Sequence, residues 1–154
     1  MTLSEAELIR WGRRIGETLE SPAFIGLSGE LGAGKSVLAR AIGAGAGVEE
    51  PMPSPTFTLL QRYPARGGRQ LVHLDLYRVA SPAELWELGW AQLGDEDEIV
   101  LVEWPERAGT LLPPDRWTVE LRVAPGHPEL REVEITRTGS PPELVGFPIS
   151  VAGP

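Results

Sequence analysis

The chain has 154 residues, 42% of them hydrophobic, a formal net charge of −8 and no cysteine. That length suits a single domain able to bury roughly two-thirds of its unfolded surface. No apolar run approaches the roughly 18 residues of a membrane span, disulfides and thiolate metal sites are excluded, and the acidity disfavours a stand-alone nucleic-acid binder, which needs a basic face.

Ser4-Glu5-Ala6-Glu7 is a capping box, and Leu8, Trp11, Ile15 and Leu19 follow at helical spacing as far as Ser21-Pro22. This acidic start has no apolar h-region, so it is not a secretory signal and a cytoplasmic protein is expected. Ala23 to Ser28 is a short apolar run that predicts a buried strand. Directly after it comes Gly29-Glu30-Leu31-Gly32-Ala33-Gly34-Lys35-Ser36, which fits the phosphate-loop pattern G-x-x-x-x-G-K-[ST] at every fixed position. From Val37 to Ile42 the apolar spacing is helical, with stops at Gly43, Gly45 and Gly47. A strand before and a helix after are the context that gives the motif its meaning. Glycines let the backbone come close to an oxyanion, and the loop amides converge on it at the positive end of the helix. Lys35 is the chain's only lysine. It would reach the β- and γ-phosphates, while the Ser36 hydroxyl would bind Mg²⁺. Gly29 to Ser36, with the first helical residue Val37, form the candidate nucleotide-binding set.

Ser54-Pro55 breaks the chain before Thr56. Thr56 to Tyr63 and Leu71 to Tyr77 predict a hairpin about the Gly67-Gly68 turn. Centred between Arg66 and Gly67, it pairs Thr58 with Asp75 and Thr56 with Tyr77, to within one or two residues of register. Thr56, Asp75 and Arg78 then share the end away from the turn, a switch-like element beside a γ-phosphate. Period two puts His73, Asp75 and Tyr77 on one face and Val72, Leu74 and Leu76 on the other. Asp75 also fits a solvated position on a half-exposed strand, and His73 fits a satisfied structural histidine. Ser81-Pro82 predicts a short helix with Ser81 as cap.

An acidic loop, Asp95 to Glu98, leads into Ile99 to Val102, the pattern of a central parallel strand. That strand delivers Glu103 as a metal-side carboxylate, and the adjacent Trp104 is placed to stack on an adenine. Pro105 to Leu111 reads as a short helix or turn. Trp117 to Val123 and Glu132 to Thr136 pair across Pro125-Gly126, and from Gly139 the chain reads as a loosely packed tail rich in Pro and Gly. The expected architecture is α/β: one P-loop NTPase-like domain over residues 1–138, three-layered, its mixed sheet parallel in the core and antiparallel at the edges, and a tail over 139–154. Ligands in such sheets sit beyond the carboxyl ends of the parallel strands.

In this order the loop, Ser54-Pro55-Thr56-Phe57-Thr58-Leu59, His73-Leu74-Asp75-Leu76-Tyr77-Arg78 and Glu103-Trp104-Pro105-Glu106 resemble the TsaE (YjeE) family over about Ser4 to Ile135. The resemblance implies a weak ATPase of bacterial tRNA threonylcarbamoyladenosine synthesis. It implies that Lys35 and the loop amides hold the phosphates of ATP, that Ser36 and Glu103 bind Mg²⁺, and that Asp75 and Thr56 serve hydrolysis near the γ-phosphate. It makes Asp75 a further metal candidate and implies that Ser4 and Glu106 would lie near the nucleoside. The implied partner is the TsaD–TsaB complex, with tRNA engaged only indirectly. Ser36 stands where many members carry Thr, and Glu30 where Asp is common.

Three other readings are open. A small P-loop kinase would need an arginine-bearing lid, for which Arg62, Arg66 and Arg69 around the hairpin turn are the only cluster. A GTPase would need Asn-Lys-x-Asp, impossible in a chain with no asparagine and its one lysine in the loop. A nucleotide-gated binding module with vestigial hydrolysis is the non-enzymatic reading.

Overall fold

The computed structural model describes residues 1–53 and 59–147. In chain order its elements are β1 (Thr2–Ser4), α1 (Glu5–Thr18), β2 (Ala23–Ser28), α2 (Lys35–Gly45), β3 (Leu60–Pro64), β4 (Gln70–Asp75), α3 (Glu84–Glu87), β5 (Glu98–Glu103), β6 (Arg116–Ala124) and β7 (His127–Thr138), with short 3-10 segments at Arg66–Gly68, Trp90–Gln92 and Pro105–Leu111. The strands form one sheet in the order β1-β7-β6-β2-β5-β4-β3. β6, β2, β5 and β4 run parallel in the centre, and β7, β1 and β3 are antiparallel toward the edges. The mixed α/β sheet is therefore the one its sequence pattern predicts. The continuous apolar runs of β2 and β5 are buried on both faces, as central parallel strands must be.

Two apolar layers cover the sheet. Ile25, Leu27, Leu71, Leu101 and Val119 face α1 and α2, where Trp11, Ile15, Leu38 and Ile42 are fully buried. On the other face Phe24, Val72, Leu74, Val100 and Val102 meet Leu85, Trp90 and Ala108, contributed by α3 and the 3-10 segments. α1 begins as expected: the Ser4 hydroxyl accepts from Glu7 N–H and Glu7 Oε1 accepts from Ser4 N–H.

α1 and α2 approach closely because glycines line their contact. A Cβ on Gly16 would lie 2.0 Å from Ile42 O and 2.5 Å from Ala46 N, and one on Gly12 would lie 2.6 Å from Ala41 Cβ. Those atoms belong to backbone and helix wall, so the helices would have to separate. Gly16→Val is expected to cost about 3 kcal/mol by overpacking, read as a fall in the denaturant midpoint. An unchanged midpoint would contradict the packing described.

The hairpin register falls one residue from the centred pairing, within the one or two residues left open. Leu60 pairs with Leu74 and Gln61 with His73, and Asp75 N–H donates to Leu59 O at 3.0 Å, while Thr58 lies outside the described residues. The connection is a five-residue loop closed by Ala65 N–H to Arg69 O, with Gly67 and Gly68 both left-handed, so its centre falls on Gly67. Two other expectations need correction. Ser81 does not cap the short helix, which starts at Glu84 after Ala83 with no side-chain cap. Residues 139–147 are not loosely packed. The indole N–H of Trp11 donates to Val145 O and that of Trp117 to Pro142 O, while Leu144, Val145 and Phe147 pack on the core.

Candidate functional site

β2 ends at Ser28, and the phosphate-loop sequence follows at the carboxyl end of the parallel strands. Gly34 closes the loop as N-cap of α2 with φ 106°, a left-handed conformation open to glycine at little cost. The first helical residue is Lys35, so the amides of the loop's end and the first turn of α2 are gathered at a helix N-terminus. Across the loop, Arg131 of β7 donates to Ala33 O (2.9 Å) and Gly32 O (3.3 Å), tying the loop to a distant strand.

Lys35 is only 5% exposed. Its Nζ donates to the carbonyls of Gly29 and Glu30, the latter at 2.9 Å, and sits 4.3 Å from the Trp104 ring centre. Burial pushes this ammonium below the ordinary lysine range, while Glu103, Asp75, Glu106 and Glu30 pull it back. Trp104 holds the left-handed conformation (φ 59°, ψ 51°) that turns the chain out of β5, and its ring meets Tyr77 at 5.0 Å.

β5 and β4 pair in parallel with Asp75 opposite Glu103, so the two carboxylates end neighbouring strands. Ser36 Oγ lies 3.2 Å from Glu103 Oε1 and 3.4 Å from Oε2, and His73 Nε2 lies 2.6 Å from Oε2. Glu103 and His73 are both buried. Asp75 accepts from Tyr77 N–H at 2.9 Å. Its carboxyl is pushed up, first by burial and further by the Glu103 charge, against the Tyr77 hydrogen bond, His73 and Lys35.

The sign of that shift sets a test. A carboxyl raised by folding subtracts from stability wherever it is ionised, and the folded state gains as pH falls through the raised value. Asp75→Asn keeps an acceptor for Tyr77 N–H and removes the charge. The ligand-free variant should melt higher at pH 7, on the order of 2 °C, and the gain should fade in acid. A lower melting temperature by calorimetry would show that the charge is favourably held.

A cleft of about 420 Å³ brings together Leu31, Gly32, Gly34, Lys35, Ser36, Val37, Asp75, Glu103 and Trp104, with Glu5, Leu8, Pro128, Glu129 and Arg131 on its far wall. Gly29, Glu30, Ala33 and Glu106 line an adjoining hollow that shares Leu31 and Trp104. There Glu106 Oε2 is 3.5 Å from Ser28 Oγ. Ser4 occupies its helix cap, one residue from the cleft-lining Glu5. Thr56 lies outside the described residues. Arg131 and the wall from β7 had no signal in the sequence, since their place depends on a strand folded back from nearly a hundred residues beyond the loop.

The donors suit a hard divalent cation. Ser36 and Glu103 offer adjacent oxygens, with Asp75 on the neighbouring strand. No group of three or more His, Cys, Asp or Glu among the described residues forms a metal cage.

A mixed α/β sheet carrying a phosphate-loop sequence and two strand-end carboxylates around one cleft defines the class, a P-loop-like protein. The family model described as "Threonylcarbamoyl adenosine biosynthesis protein TsaE" matches residues 2–132, and the chain belongs to the TsaE family, whose proteins take part in tRNA threonylcarbamoyladenosine biosynthesis. Similar relatives bear the name tRNA threonylcarbamoyladenosine biosynthesis protein TsaE. That of Treponema pallidum is 36% identical over 128 residues, covering 82% of this chain and 93% of its own. That of Streptomyces coelicolor is 37% identical over 131 residues, covering 83% and 88%. The crystal structure of Bacillus subtilis YdiB shares the fold, with a TM-score of 0.73 at 23% identity over 90% of this chain and 86% of that one.

Proposed function

We propose that the chain is a Mg²⁺-dependent ATPase that serves tRNA threonylcarbamoyladenosine formation by acting on the TsaD–TsaB complex in the cytoplasm. The observation that carries the proposal is the meeting of Lys35, Ser36 and Glu103 in one cleft, though Ser36 and Glu103 are 67 positions apart. Lys35 would exchange its loop carbonyls for the β- and γ-phosphates, and the loop amides would bind the remaining phosphate oxygens. Ser36 and Glu103 would hold Mg²⁺, which supplies charge neutralisation on the phosphates when bound. Asp75, raised toward neutrality by burial and by Glu103, would orient the attacking water, with no covalent intermediate. Trp104, half-buried over Lys35, closes one side of the cleft against solvent.

The net charge of −8 supports contact with protein partners and leaves the tRNA to them. A kinase is less well supported. Arg62 pairs with Glu98, Arg66 donates to Gly45 O and Arg69 to Leu19 O, so all three arginines of the hairpin are engaged in the scaffold. The test is phosphate release from Mg-ATP with and without purified TsaD–TsaB, alongside Asp75→Ala and Glu103→Ala. A slow rate that changes with the partners and is lost in the variants supports the reading. Phosphate on a small acceptor would favour the kinase. A rate indifferent to TsaD–TsaB would remove the assignment to that complex.

A further inference from the structure

We infer that His73 is a positioning residue for Glu103, fixing one carboxylate oxygen so that the other is presented to the divalent cation; this rests on the Mg²⁺–nucleotide reading above. The two side chains come from neighbouring strands. His73 is on β4 and Glu103 ends β5, and both are almost fully buried, at 1% and 3% exposure. A carboxylate can only accept, so the proton in the 2.6 Å contact is assigned to His73 Nε2, directed at Oε2. Oε1 is the oxygen nearer to Ser36 Oγ, the hydroxyl that would share the metal. The division of labour is geometric: Oε2 is held from the core side and Oε1 faces the loop.

The other ring nitrogen, Nδ1, is buried and has no hydrogen-bond partner among the described residues. His73 thus meets the site through Nε2 and orients the ligand from outside the metal's own shell, the arrangement by which outer hydrogen bonds tune metal sites.

The experiment compares wild type with His73→Leu, which removes the donor, and His73→Gln, whose amide N–H reaches the place of Nε2. Calorimetry reads ADP binding in EDTA and then across a Mg²⁺ series, and Mn²⁺ titration by electron paramagnetic resonance reads metal binding directly. In His73→Leu the Mg²⁺ concentration for half-maximal effect should rise about tenfold or more. ADP binding in EDTA should stay within about twofold, and His73→Gln should recover most of the metal affinity. An unchanged Mg²⁺ dependence in folded His73→Leu overturns the inference. So does a loss of metal-free ADP binding in step with metal binding, which would mark a purely structural histidine. If His73→Leu does not fold, His73→Asn, whose amide falls short of Glu103, replaces it with the same expectations. Wild-type protein that ignores Mg²⁺ when binding ADP would fail the functional reading itself, a result separable from a metal-dependent wild type with an indifferent variant.

Discussion

Lys35→Ala is expected to raise the dissociation constant for ATP about 100-fold, since charge-assisted hydrogen bonds to phosphate contribute up to about 3 kcal/mol. The side chain is buried beneath Trp104 and folded onto the carbonyls of Gly29 and Glu30. Its partners are therefore those of a cation waiting for an anion. Losing it frees two loop carbonyls to water and leaves the polyphosphate beside Glu103 and Asp75 without the Lys35 charge to offset them. Lys35→Arg should fail nearly as far, because a planar fork does not fit a pocket shaped for one ammonium. Melting temperatures should change little, since among the described residues Lys35 hydrogen-bonds only to its own loop, and the burial that its contacts with Trp104 and Glu103 offset is removed with it. Isothermal titration with ATP checks the prediction, and unchanged affinity in Lys35→Ala would remove the loop from nucleotide binding.

Glu103→Gln should lower phosphate release at least about 100-fold, the scale of losing one preorganised electrostatic contact in the transition state. ADP binding without Mg²⁺ should change less than about threefold. The amide keeps one oxygen to accept from His73 and turns its NH2 toward the Ser36 hydroxyl, which can accept it, but lacks the charge a metal requires. Glu103→Ala should lose activity equally and stability as well, because His73 Nε2 would then lose its buried acceptor, with neither ring nitrogen paired among the described residues. Phosphate release and calorimetry on the two variants separate charge from packing. An undiminished rate in Glu103→Gln would move the metal-side role to Asp75.

The parts of the site readable in the sequence are those whose chemistry is local. The loop, its flanking strand and helix, and Glu103 at the end of an apolar run each declare themselves within a few residues. The capping box at Ser4 and Glu7 is equally local and forms as read. What escapes is what depends on distance or on an odd residue. The hairpin register turns on whether its loop holds four or five residues, and composition alone does not decide that. β1 is three residues long and exists because Thr2 to Ser4 meet Leu130 to Glu132. The segment 139–147 looks like tail by its prolines and glycines, yet Trp11 and Trp117 each need an acceptor for a buried indole N–H and find it there. His73 falls between the two cases. Its place on the Asp75 face follows from period two, but its hold on Glu103 depends on the β4–β5 register.

The glycine contact between α1 and α2 has a mechanical meaning. Gly12 lies against the side chains of Leu38 and Ala41, and Gly16 against the backbone of Ile42 and Ala46. At Gly16 no side chain stands between the helices to yield, so a displacement of α2 would carry α1 with it. Glu5, the first residue of α1, lines the same cleft as Lys35 and Ser36 of α2, so the two helices would shift as one wall.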